Sequence, residues 1–152
     1  MSTFTLIHVA ISLIGIATGL VVVYGFVAGE KLPAWNAVFL VFTILTSVTG
    51  FFFPFHGITP GIVVGVISLV VLAVAVLAWN KKWTKTYIVT ATIAEFFNVL
   101  VLIVQSFMKI AALHALAPKG TEPITNVVKV AALVLFVVLA WAAIRRGRFV
   151  LG

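Results

Sequence analysis

Glu95, Asn98, Gln105 and Lys109 interrupt an otherwise oil-soluble run, AEFFNVLVLIVQSFMK, residues 94–109. At about 100° per residue they share roughly one quadrant of a helix, with Leu102 between them. A carboxyl, two amides and an ammonium on one stripe can hold a proton, an ion or a polar ligand. They can equally tie helices together: amides commonly link neighbouring helices, and a lysine at a helix end can anchor it at an interface. Which applies depends on what surrounds the stripe.

The surroundings are lipid. Mean hydropathy is +1.32. The chain has 152 residues, 64% hydrophobic and only 9% charged. A soluble domain is nearer half apolar and a quarter charged. So small a chain cannot bury that much apolar surface from water. A membrane-spanning helix needs about 20 apolar residues, and five stretches qualify: 3–28, 34–54, 60–80, 84–115 and 123–145. The expected fold is an all-α polytopic membrane bundle of five transmembrane helices in a single domain, 1–152. Punctuation agrees: Gly29 to Pro33, Pro54 to Gly57, Asn80 to Trp83 and Pro118 to Gly120 are turn-forming breaks. MSTFTLIH has no Lys or Arg, so the first apolar run reads as a retained helix and not a signal peptide.

Net charge is +7. In a soluble chain that would suggest nucleic acid; here it reads as a topology signal, and no nucleic-acid partner is expected. Lys31, Lys81, Lys82, Lys85, Arg145, Arg146 and Arg148 gather on one side, against Lys119 with Lys109 and Lys129 on the other. The first side should be cytoplasmic, with the N-terminus outside and the C-terminus inside. Trp35, Trp79, Trp83, Trp141, Tyr24 and Tyr87 fall near that same inner interface, where amphipathic rings favour headgroups.

Within this frame Glu95 lies about 15 Å below Lys85, near the midplane. A carboxylate there costs roughly 2.5–3.5 kcal/mol, so it should face protein or water, and desolvation favours the neutral acid. Such a group is a candidate proton carrier. It is equally a strut to a hydroxyl of the second helix, which offers Thr43, Thr46, Ser47 and Thr49. The expected ligand or proton site is Glu95, Asn98, Gln105 and Lys109, opening to the outer face.

The histidines, His8, His56 and His114, all fall on the outer side. Imidazole ligates zinc, copper and haem iron, yet no pair has ligand spacing and three elements would have to converge. A quinone or lipid-headgroup site beside the Phe51–Phe53 run and Phe55 is another reading, and plain interfacial hydrogen bonding is a third. The cofactor is otherwise open. Gly15 and Gly19 in the first helix, and Gly61 and Gly65 in the third, form small-xxx-small patterns that let backbones approach. Without cysteine, thiolate catalysis and disulfides are excluded. No Asp, no Ser/His/Asp set, no phosphate loop and no HExxH is present, so an enzyme is not expected.

TSVTGFFFPFH, residues 46–56, and the helix spacing resemble small bacterial inner-membrane proteins of uncharacterised activity. The resemblance implies a bacterial inner membrane and a multi-pass fold, and no residue role. Three functions remain: a binding or accessory subunit of a membrane assembly or homo-oligomer, whose partners are lipid, other subunits or itself; a proton-coupled small transporter or ion path using Glu95; and an outer-face metal, haem or quinone site.

The orientation is directly testable because the chain has no cysteine. In intact cells an impermeant maleimide should label Lys119→Cys and spare Lys82→Cys until the membrane is opened. The reverse pattern would invert the topology.

Overall fold

The computed structural model describes residues 2–54, 56–146 and 151. Phe55 and Arg148, used above for the aromatic run and the charge count, lie outside them. The described residues form helices and connecting turns: α1 Thr3–Ala28, α2 Pro33–Gly50, α3 Pro60–Lys81, α4 Thr84–Lys109, α5 Ala111–Leu116 and α6 Pro123–Arg146. Five of the six are long and apolar enough to cross a membrane.

Local chemistry sets most of the ends. The Ser2 hydroxyl accepts from Thr5 N–H at 3.1 Å, and Gly29 closes α1 with φ 71°, a left-handed conformation that glycine adopts without strain. Pro33 and Pro60 occupy first-turn positions, where a missing N–H costs nothing, and Thr59 caps α3. Beyond α5, the Lys119 N–H donates to Glu122 Oε1 at 2.9 Å, which holds that carboxyl below the usual range.

Two spans end earlier than the sequence suggests. α2 stops at Gly50, and Phe51 to Phe53 form a turn ahead of Pro54, whose ring disfavours helix in the residue before it. The expected helix 84–115 breaks at Ile110, which is extended (φ −87°, ψ 118°). By then α4 has 26 residues, about 39 Å of helix, already longer than a roughly 30 Å hydrocarbon layer. Nothing in a bilayer then requires the span to continue.

The spans alternate in direction. The starts of α1, α3 and α6 therefore share one end with the finishes of α2 and α4. This is called here the histidine end, and the opposite one the tryptophan end. α1 packs most extensively on α2, α3 on α4, and α6 against α4 and α1. The tightest core lies towards the tryptophan end. Phe26, Phe39, Leu72, Tyr87 and Ile88 are buried there, beside Ala75 and Ala78 of α3 and Ala91 and Ala94 of α4. These alanines let α3 and α4 approach closely. By contrast α6 exposes Val130, Val134, Val137 and Val138, a surface suited to lipid.

Tyr87 departs from expectation. Trp35, Trp83, Trp141 and Tyr24 are exposed, as a headgroup belt requires, but Tyr87 is fully buried. Its hydroxyl donates to Asn36 Oδ1, whose amide donates onward to Leu32 O at 2.8 Å. Trp79 and Phe26 meet its ring edge-on. The polar pair fastens α2 to α4 inside the core. Tyr87→Phe leaves the Asn36 oxygen without its donor and should cost about 0.6–2 kcal/mol, read as a lower unfolding temperature in detergent.

Candidate functional site

Glu95 is completely enclosed. The enclosure depends on Gly19 of α1: a Cβ built there would overlap the Glu95 carboxyl and come within 2.8 Å of the Phe39 ring. The missing side chain is the space the carboxyl fills. Glu95 Oε2 accepts from Asn98 Nδ2 at 3.3 Å, and the same amide reaches Thr43 Oγ1 of α2, also at 3.3 Å. Among the hydroxyls α2 offers, Thr43 is thus joined to the carboxyl through an amide and not directly. Glu95 Oε1 has no hydrogen-bond partner among the described residues, and neither does Thr92 Oγ1 one turn earlier.

Above this cluster a cavity of about 910 Å³ opens between α1, α2, α3 and α4 towards the histidine end. Asn98, Gln105 and Lys109 line it from α4; His8 and Ser12 line it from α1, Thr46 and Ser47 from α2, and Ser68 from α3. Leu13, Ile16, Phe51, Phe97, Val101 and Leu102 supply the apolar walls. The four residues of the opening stripe therefore divide: Glu95 lies enclosed beside Asn98, while the other three border open space. No acidic side chain is among the residues that line the cavity.

His8 is fixed by α2. Its Nδ1 lies 2.7 Å from Thr49 Oγ1, which itself donates to Leu45 O at 2.7 Å. With the hydroxyl hydrogen committed to that carbonyl, Nδ1–H donates to Thr49, and Nε2 is left as an acceptor. Phe53 folds edge-on over the His8 ring, centroids 5.0 Å apart, and Phe51 lies on Gly65 of α3, 2.9 Å from where its Cβ would be. Of this pair and its neighbour, Phe52 alone points outward, 70% exposed. The phenylalanine run is thus mostly a rim of the cavity.

The histidines do not gather. His8 and His56 border this cavity, whereas His114 borders a second one of about 310 Å³ with Lys119 and Lys129. Among the described residues no three His, Asp or Glu side chains are placed to share a metal. The glycines also divide. Gly15 packs against Thr43, whose backbone nitrogen would lie 3.5 Å from a Cβ at that position, Gly19 receives Glu95 and Gly65 receives Phe51. Gly61 is exposed and would meet only Thr59 of its own cap, so no neighbouring helix explains it. Sequence reasoning missed Thr92 and the Asn36–Tyr87 pair. A signal existed for the pair, since both are hydrogen-bonding residues near the same end of their helices.

Fold and site together define a class: a multi-pass membrane helix bundle with an amphipathic cavity bordered by Asn98, which in turn holds a buried carboxyl. No protein-family model matches the chain, and no curated protein or solved structure is detectably similar to it.

The Gly19–Glu95 fit gives a sharp test. Gly19→Ala should destabilise the protein by about 1–3 kcal/mol through overpacking. Combining it with Glu95→Ala should recover part of that loss, leaving the Phe39 contact. Independent, additive effects in thermal unfolding would contradict the fit.

Proposed function

We propose that this is a small-molecule-binding protein of the membrane, whose cavity takes a lipid-soluble amphiphile with an apolar body and a hydrogen-bonding head. The observation that carries the reading is the position of Asn98, Gln105 and Lys109: they border an apolar-walled cavity of about 910 Å³ and not a sealed helix contact. That volume is in the range of small-molecule sites, and the pattern of apolar walls with a few polar groups is typical of them. Asn98 and Gln105 each offer donors and an acceptor, Lys109 offers a cation, and His8 Nε2 offers an acceptor. A quinone, with its two ring oxygens and apolar tail, belongs to this chemical class.

Lys81, Lys82, Lys85, Arg145 and Arg146 at the tryptophan end support a cytoplasmic position for that end, by the positive-inside rule. In a bacterial inner membrane the cavity would then open to the outer side, within reach of both water and lipid. An accessory role in a larger assembly or homo-oligomer is the second reading. It is favoured by α6, whose apolar face is largely exposed.

Organic extraction of the detergent-purified protein, followed by mass spectrometry, tests the first reading. A lipid-soluble species should be enriched over the bulk membrane extract. Ser12→Trp or Val101→Trp, which fill the cavity, should reduce it about tenfold or more, equivalent to roughly 1.4 kcal/mol of binding. Val137→Trp, on the exposed face of α6, should leave it unchanged. No enriched species, or equal retention in all three variants, would refute the proposal.

A further inference from the structure

We infer that Glu95 is a proton-exchange site, reached by water from the cavity past Asn98 and closed towards the tryptophan end. This goes beyond ligand binding and uses the cavity only as a water path.

A structural acid tying helices together would pair both carboxyl oxygens. Here Oε1 has no partner among the described residues, and Asn98 holds Oε2 and Thr43 through contacts of 3.3 Å. Those distances are longer than well-formed hydrogen bonds of this type, so water can compete for them. Among the described residues the packing also supplies no fixed counter-charge. α2 contains no ionisable residue, and it presents Phe39 and Thr43 near the carboxyl. α1 presents Gly19, while its own ionisable groups, His8 and Tyr24, lie near the cavity mouth and on the exposed surface. α3 has only Lys81, in its last turn. On α6, Arg145 and Arg146 lie in the last turn and Lys129 borders the other cavity. On α4 itself, Lys85 and Lys109 are at the ends, and Tyr87 is paired with Asn36.

Access is one-sided. Asn98 touches the carboxyl and also lines the cavity. In the opposite direction Phe26, Phe39, Leu72, Tyr87 and Ile88 fill the space between helices. The chemistry is a single reversible transfer. The carboxyl O–H breaks, its proton passes to a water oxygen in the cavity to give hydronium and carboxylate, and it returns by the same path. An amide is a poor proton relay, so Asn98 is a positioning residue: it orients the carboxyl and yields to water. A metal cation is a poorer fit than a proton, because the pocket presents few oxygens and a proton needs one acceptor.

Infrared spectroscopy of the full chain in lipid vesicles reads this directly. Near neutral pH the protein should show a carboxylic-acid C=O band that shifts in D2O and is lost in Glu95→Gln. Labelling with 13C-glutamate should move the band, which assigns it to one of three Glu residues even if that variant fails to fold. Ser12→Trp should slow the D2O shift by a factor on the order of ten or more, because exchange must then wait for local opening; Val137→Trp should not. Absence of an acid band, a band inert to D2O, or exchange indifferent to Ser12→Trp would each overturn the inference. Loss of the enriched ligand with exchange intact would remove only the binding proposal.

Discussion

A polar group has no water to turn to inside a bilayer, and that constraint organises this protein around one carboxyl. Glu95 is enclosed because exposure to acyl chains would cost more than any packing adjustment around it. Gly19 gives up a side chain to admit it. Asn98 and Thr43 then connect α4 to α2 beside the same point, so three helices are brought into contact by one ionisable side chain. Gly15, one turn from Gly19, packs against Thr43 and continues the same close seam.

The two halves of the bundle solve different problems. Towards the tryptophan end, alanines and interlocking aromatic rings bring α3 and α4 together and leave little empty space. Towards the histidine end the walls are Phe97, Val101, Leu102 and Ile16, interrupted by hydroxyls and amides, and the helices stand apart. The walls thus combine apolar surface with a polar seam, the chemistry that an amphiphile of the proposed kind would meet.

Charge placement points the same way. Most Lys and Arg residues among the described helices and loops lie at the tryptophan end, where the proposed cytoplasmic orientation would account for them. Lys109, Lys119 and Lys129 are left over by that argument. Each borders a cavity at the histidine end, beside a histidine, and no acidic side chain lines either space. The leftover cations are thus concentrated at the end where the proposed ligand would enter.

Hydropathy and punctuation alone determined that this chain has five long apolar helices, though not that a sixth, short helix joins the last two. The 3.6-residue period alone determined that Glu95, Asn98, Gln105 and Lys109 share a face. Both are one-dimensional facts, set by backbone satisfaction in lipid and by local capping. Only the tertiary structure decided what that face looks at. It placed Gly19 against Glu95, separated His114 from His8 and His56, turned Tyr87 into the core and ended α4 at Lys109. The reason is physical: in hydrocarbon every face of an apolar span is equally well solvated, so hydropathy does not say which way a helix turns. Small-residue fit and a few polar pairs do, and those pairs join residues as far apart in the chain as Asn36 and Tyr87.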